Sequence, residues 1–268
     1  MSDKTIAFIT GANTGIGFET IKALFASQHP YHVLLGARDL SKADTAIAKL
    51  KDEFADSKST VEPIQIDVVS DESIHKAFEA ISSKFDKLDV LINNAGGTFE
   101  MFFDQDVPKY RELFNKAYDV NTTGAQVVTA TFAPLLIKSS NPRLLFITSG
   151  LSTLEGSSKG LLPNVAMQAP SGWPKEGLLT SFAYRASKAG LNMTMLVWHS
   201  LLKGDGVKTW CISPGFVHTG LGGMPDKMKE GRAGDPATSG DFIKRVLEGE
   251  RDEDAGKVVH VGGGVQAW

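Results

Sequence analysis

The chain has 268 residues, 42% hydrophobic and 22% charged, with a net charge of -3, enough for one large domain or two small ones. That balance argues against a nucleic-acid partner or an anionic membrane surface. Cys211 is the only cysteine, so no intrachain disulfide can form and a reducing, cytoplasmic setting is expected.

The first apolar run, Thr5–Thr10, is too short for a signal segment or a membrane span, and nowhere do about 18 uncharged apolar residues run together, so the chain reads as soluble. Further apolar runs follow at His32–Gly36, Val61–Ile66, Val90–Asn93, Leu144–Thr148, Val207–Ile212 and Val258–Val261. Each is short, rich in Val, Ile, Leu or Phe, and not alternating, the pattern of strands buried on both faces. Helical spacing fills Gly15–Ala26, Ser41–Phe54, Asp71–Phe85 and Tyr110–Ile137 between them. Strand and helix in alternation predict an α/β doubly wound Rossmann fold. About seven parallel strands would be covered by helices on both faces of one domain spanning 1–268. Cys211 sits in an apolar run and reads as a buried structural thiol. His29, His32, His75, His199, His218 and His260 lack ligand spacing, so no metal is expected.

Two stretches break the alternation. Leu151–Thr180 and Phe216–Asp235 are rich in Gly and Pro and leave the carboxyl ends of the fifth and sixth runs, where open parallel sheets bind ligands. They are expected to be a substrate-loop insertion and a substrate lid. The first run ends in Thr10-Gly11-Ala12-Asn13-Thr14-Gly15-Ile16-Gly17 and meets a helix at once. A glycine turn there lets backbone N–H groups and the positive end of a helix dipole approach a pyrophosphate. The spacing is Gly-x3-Gly-x-Gly, and a plain tight turn with helix-packing glycines is the alternative. About 20 residues on, where a carboxylate would accept from a ribose 2′-OH, stand Ala37 and Arg38. Arg38 favours a 2′-phosphate and hence NADP(H). Asp39 keeps NAD(H) open, although Asp39 or Ser41 also suits the cap of the next helix.

Tyr184 and Lys188 stand four residues apart, so on a helix both leave one face. A fixed ammonium beside the phenol is expected to lower the Tyr184 pKa and make it a proton donor or acceptor. Together with the glycine turn, several motifs resemble the short-chain dehydrogenase/reductase family over about Thr5 to Val261. Asp67-Val68 resembles the adenine contact and Asn93-Asn94-Ala95-Gly96 the family's Asn-Asn-Ala-Gly signature. Asn121, Ser149, Tyr184 and Lys188 fall where the catalytic residues fall, and Pro214-Gly215-Phe216-Val217-His218-Thr219 resembles the stretch beside the nicotinamide. The resemblance implies that Tyr184 exchanges a proton with the substrate oxygen and that Ser149 hydrogen-bonds it. It implies that Lys188 lowers the Tyr184 pKa and holds the nicotinamide ribose, and that Asn121 holds a relay water.

Ser149 and Tyr184 lie 35 positions apart, against roughly a dozen in most members. The extra length resembles the insertion of monomeric carbonyl reductases of the family, which covers the face other members use to pair helices, and it points to a monomer. Within it, Met167, Trp173, Leu178 and Leu179 form an apolar set. With Phe99, Met101, Phe102, Phe103, Phe216, Leu221 and Met224 they suit a hydrophobic carbonyl compound. An NADPH-dependent ketone or aldehyde reductase is the expected activity. An NAD-dependent alcohol dehydrogenase and a non-catalytic NADP(H)-binding sensor are the alternatives.

Overall fold

Each apolar run forms a strand, and the sheet they build sets the positions of the site residues. The computed structural model describes residues 4–100, 109–160, 171–172, 181–221 and 233–268. In chain order the elements are β1 (Thr5–Ile9), α1 (Gly15–Phe25), β2 (Tyr31–Ala37), α2 (Leu40–Glu53), β3 (Thr60–Gln65), α3 (Asp71–Ser82) and β4 (Val90–Asn93). Next come α4 (Tyr110–Tyr118), a π-helical turn (Asp119–Thr123), α5 (Gly124–Leu136), β5 (Arg143–Ile147), a 3-10 turn (Gly150–Ser152) and α6 (Leu154–Ser158). The chain closes with α7 (Phe182–Leu202), β6 (Lys208–Ser213), α8 (Pro236–Leu247), β7 (Val258–His260) and β8 (Val265–Gln266).

The strands make one sheet in the order β3-β2-β1-β4-β5-β6-β7-β8. β1 lies between β2 and β4, with Ile9 paired to Leu35 on one side and Ile92 on the other, both parallel. The order reverses at β1, so a crevice opens at the carboxyl ends of β1 and β4, the place where such sheets bind ligands. β8 is the departure from the expected all-parallel sheet: it pairs antiparallel with β7. Its two residues are too few to carry a periodic signal.

Successive side chains of each strand enter opposite cores. Ala7, Ile9, Val33, Leu35, Ile92 and Ile212 pack against Ile21, Leu24, Ile47, Phe242 and Ile243 of α1, α2 and α8. Phe8, Leu34, Leu91, Leu144, Phe146 and Cys211 pack against Ile74, Phe132, Leu191 and Met195 of α3, α5 and α7. Both clusters are removed from water, which explains the unbroken apolar runs.

Helix starts follow local chemistry. Asp39 caps α2 through Ser41 N, Ser70 caps α3 through Ser73 N, and Asp235 caps α8 ahead of Pro236. The expected helix Tyr110–Ile137 is observed as α4 and α5 joined, without leaving helical backbone, by the π-turn at Asp119–Thr123, which holds the buried Asn121. Such widened turns often carry functional side chains. At helix α8, Asp235-Pro236 at the start and Lys244 and Arg245 in the last turn are readable boundary signals.

Candidate active site

The glycine turn after β1 is shaped by steric necessity at two positions. Gly11 has φ +63, and a Cβ there would come within 2.9 Å of Ala95 Cα. A Cβ on Gly17 would lie 2.6 Å from Asn94 Nδ2 and 2.8 Å from Ala12 Cα. The turn is therefore pressed against the segment that follows β4. Asn94 Nδ2 donates to Thr10 O at 2.8 Å and to Gly11 O at 3.0 Å, while Thr10 Oγ1 accepts from Asn94 N and Ala95 N, each at 3.1 Å. The amide of Asn94 thus braces the turn from behind, and Gly96 lies exposed at its edge.

Thr14 opens α1 with an extended backbone and makes no side-chain capping bond. Among the described residues no hydroxyl or carboxylate caps the first-turn N–H groups, which suits an incoming anion. Asn13 and Ile16 are half-buried, and Thr219 stands against Gly15, where a Cβ would meet Thr219 Cβ at 3.5 Å. These features fit a pyrophosphate, because side chains are absent where the backbone must approach it.

At the tip of β2, Arg38 is exposed. The neighbouring Asp39 carboxylate accepts from Ser41 N at 2.9 Å and Ser41 Oγ at 2.7 Å, bonds that hold it below the usual carboxylate range. Of the two expected caps, Asp39 is the one used. At the end of β3, Asp67 N donates to Ser73 Oγ at 2.8 Å and Asp67 Oδ1 accepts from Val69 N at 3.3 Å, while Val68 packs against the core.

The four expected catalytic residues converge over the ends of β4 and β5. Tyr184 and Lys188 both lie on α7, and the Tyr184 phenol is close enough to Ser149 for the serine to lower its pKa. Ser149 follows β5 with an extended backbone, and its hydroxyl also accepts from Leu151 N at 3.1 Å. Lys188, 4% exposed, donates from Nζ to Ile147 O at 2.7 Å. Asn121 clamps Gly97 in both directions, accepting from Gly97 N at 2.8 Å and donating to Gly97 O at 2.9 Å, with a further bond to Ser187 Oγ at 3.0 Å. A Cβ on Gly96 would meet Asn121 Oδ1 at 3.0 Å and Lys188 Nζ at 3.1 Å, so the two side chains flank one exposed point of backbone.

The expected direction of the Tyr184 pKa is reversed. Burial raises it, Ser149 lowers it, and the Glu100 carboxylate raises it further. The reason is geometric: the Lys188 ammonium is directed to the Ile147 carbonyl, and burial leaves the anion of the half-buried Tyr184 poorly solvated. Lys188 itself is the group that shifts down, from 10.5 to about 8, because burial penalises its charge. Cys211 is buried as expected, and burial pushes its thiol up.

The stretch after β6 is pinned rather than loose. Pro214 O accepts from Ser239 Oγ at 2.8 Å, Gly215 has φ +85, and Val217 bridges to Gly234. Leu221 N donates to Thr219 Oγ1 at 3.2 Å. Phe216 is 61% exposed, whereas Phe99 packs on a small cluster of Leu113, Ala117 and Ala183. The expected loop from Leu151 begins as helix: the 3-10 turn continues into α6, capped by Thr153. Met101, Phe102, Phe103, Met167, Trp173, Leu178, Leu179 and Met224 lie outside the described residues.

Two site residues had no sequence signal. Glu100 Oε1 accepts from Tyr184 N at 2.7 Å, and Gln266 Nε2 donates to Ser149 O at 3.3 Å. Both contacts join distant parts of the chain and follow no period or motif.

A glycine cradle at the switch point, with a Ser–Tyr–Lys cluster one strand away, defines the class of dinucleotide-dependent oxidoreductases. The family model for short chain dehydrogenases matches residues 5–161. The short-chain dehydrogenase/reductase tropE of Talaromyces stipitatus is 46% identical over 269 residues, covering 100% of this chain and 99% of that protein. The short-chain dehydrogenase/reductase eupG of Phoma sp is 45% identical over 260 residues, covering 94% and 93%. The chain belongs to the short-chain dehydrogenase/reductase family of nicotinamide-dependent oxidoreductases. The NADPH-bound carbonyl reductase from chicken fatty liver has the same fold, with TM-score 0.77 at 24% identity over 100% of both chains. The 3-oxoacyl-(acyl-carrier protein) reductase of Brucella melitensis in complex with NAD also shares it, with TM-score 0.75 at 20% identity, covering 97% and 96%.

Proposed function

We propose that the protein is an NADPH-dependent reductase of a fairly hydrophobic ketone or aldehyde, reversible as alcohol oxidation. The observation that carries this reading is the Ser149–Tyr184 contact beside a buried Lys188 and Asn121, set above the glycine turn. The cofactor, when bound, supplies hydride. Gly11, Asn13, Thr14, Gly15, Ile16 and Gly17 would hold its pyrophosphate, Asp67 and Val68 its adenine, and Asn94, Ala95 and Gly96 the middle of the molecule. Tyr184 and Lys188 would hold the nicotinamide ribose, with Pro214, Gly215, Val217 and Thr219 beside the ring. Tyr184 gives its proton to the carbonyl oxygen, and its raised pKa suits a phenol that arrives protonated. Ser149 donates to the developing alkoxide. Lys188, with a pKa of about 8, accepts and returns protons near neutrality, through a water held by Asn121.

Arg38 supports NADP(H), since the adjacent carboxylate of Asp39 is committed to capping α2 and is poorly placed to select a 2′-OH. The chicken neighbour is NADPH-bound, whereas the Brucella neighbour holds NAD. Titration with both cofactors is the test: Arg38→Asp is expected to weaken NADPH binding at least tenfold and leave NADH little changed. Tighter NAD+ than NADP+ binding by the unmodified protein rejects the Arg38 assignment.

Residues 151–180 and 216–235 are assigned to substrate selection within one dinucleotide-binding unit. A panel of aromatic and aliphatic ketones followed by NADPH absorbance, with Tyr184→Phe as control, tests the activity and the non-catalytic sensor alternative. Among the described residues no helix is long and apolar enough to cross a membrane. The single cysteine supports the cytoplasm as the assigned compartment. The expected monomer is tested by sizing, because α7 exposes Met193, Val197 and Leu201 in a row that a second copy would bury.

A further inference from the structure

Helix α7 lacks the local start that the other main capped helices have. Asp39, Ser70 and Asp235 each cap their own helix, but Ser181, which precedes α7, has a left-handed backbone (φ 47, ψ 40) and makes no side-chain capping bond. A non-glycine residue in that region is uncommon and strained. The acceptor comes from 84 residues upstream: Glu100 Oε1 takes the Tyr184 N–H at 2.7 Å. Glu100 Oε2 accepts from Thr98 Oγ1 at 2.6 Å and from Phe99 N at 3.1 Å, which fixes the carboxylate before α7 meets it. A carboxylate in the first turn also complements the positive end of the helix dipole.

The bonded amide belongs to the residue that carries the phenol. At its other end the same short segment is held by Asn121, which clamps Gly97 from the π-turn. Residues 97–100 are thus a strut between Asn121 and Tyr184, seated by Phe99 on Leu113, Ala117 and Ala183. We propose that Glu100 is a positioning residue that caps α7 from the loop after β4 and so holds Tyr184 in contact with Ser149. The proposal rests on Tyr184 being the proton donor. The charge of Glu100 has a second effect, since it raises the proton affinity of the phenol along with burial. Among the described residues, three charged groups nearby are engaged elsewhere: Lys188 on Ile147 O, Lys116 of α4 over the Phe99 ring at 5.0 Å, and Arg185 on Ser157 Oγ at 2.7 Å.

The test compares full-length wild type with Glu100→Ala, Glu100→Gln and Tyr184→Phe. Backbone hydrogen exchange over residues 182–190, NADPH affinity by fluorescence, ketone reduction, and the ultraviolet titration of the phenol lost in Tyr184→Phe are measured. Glu100→Ala is expected to speed exchange at the start of α7 and to lower kcat, each roughly tenfold, with NADPH affinity within about twofold of wild type. Glu100→Gln keeps an acceptor oxygen, so it should restore protection and most of kcat while the Tyr184 titration moves to lower pH. The proposal is overturned if Glu100→Ala keeps wild-type exchange and kcat. It is also overturned if Glu100→Ala loses NADPH binding in step with kcat, or if Glu100→Gln leaves the Tyr184 titration unmoved. Should Glu100→Ala not fold, the Glu100→Gln titration decides. If Tyr184→Phe reduces ketones as fast as wild type, the proton-donor reading itself fails and the proposal with it. An inactive Tyr184→Phe beside an unaltered Glu100→Ala rejects the Glu100 proposal alone.

Discussion

Replacing Lys188 with Met is expected to stabilise the fold while abolishing turnover. The side chain is 4% exposed, and burial lowers its pKa from 10.5 to about 8. A shift of that size means the buried ammonium is disfavoured by about 3 kcal/mol relative to its neutral form. Methionine fills much of the same volume without the charge, but it leaves Ile147 O without the donor now at 2.7 Å, a loss of about 1–2 kcal/mol. The net expectation at pH 7 is a variant more stable by about 1–2 kcal/mol. The sign of the pH dependence follows from linkage. Below pH 8 the ammonium is protonated in folded and unfolded chains alike, so Lys188 adds no slope. Between about 8 and 10.5 the unfolded chain binds more protons, so wild-type stability rises with pH. From pH 7 to pH 9 that gain is about 1.4 kcal/mol, and the variant lacks it. Cys211 and Tyr31, both pushed up by burial, act in the opposite direction at higher pH, so the effect is read as wild type minus variant within this window. Urea denaturation followed by tryptophan fluorescence at pH 7, 8 and 9, without cofactor, is the assay. A variant less stable than wild type at pH 7, or a difference that does not change between pH 7 and 9, would refute the reasoning.

Gly17→Ala places a methyl 2.6 Å from Asn94 Nδ2 and 2.8 Å from Ala12 Cα, so the turn must open. NADPH affinity by fluorescence titration should fall more than about tenfold, together with Tm, since overpacking of this kind costs about 1–3 kcal/mol. Asp252→Asn strands Arg143, whose side chain is 5% exposed and bonded to Asp252 at 2.6 and 3.1 Å. Urea denaturation at pH 7 should show a loss of about 3 kcal/mol, as for other broken buried pairs. Burial pushes the Asp252 carboxyl up, but the bonds from Arg143 and Lys208 outweigh it and the net direction is down. Its contribution is therefore present above 3.8 and is lost as pH falls through the lower folded value, so the variant should show a shallower acid limb.

Strands β1, β2 and β4 to β7 were legible because a run buried on both faces needs no partner to be recognised, and the crossover helices because one face of each is apolar, whereas β3 lies at the sheet edge with Thr60 and Gln65 exposed. The π-turn within Tyr110–Ile137 was not legible, because residues 110–137 keep helical spacing across it. The strand β8 is too short to carry a pattern.

The sequence by itself set most of the order of strands and helices and the place of the glycine turn, since spacing and side-chain type are local properties, and its resemblance to the short-chain dehydrogenase/reductase family pointed to the four candidate catalytic residues. Only the tertiary structure decided how those residues are charged and held. Lys188 points to Ile147 O instead of lowering the Tyr184 pKa, and burial sets the direction for both groups. Glu100 reaches the start of α7 from 84 residues away. Desolvation and long-range hydrogen bonds depend on what the fold packs around a group, and that information is spread over the whole chain and absent from any one window of it.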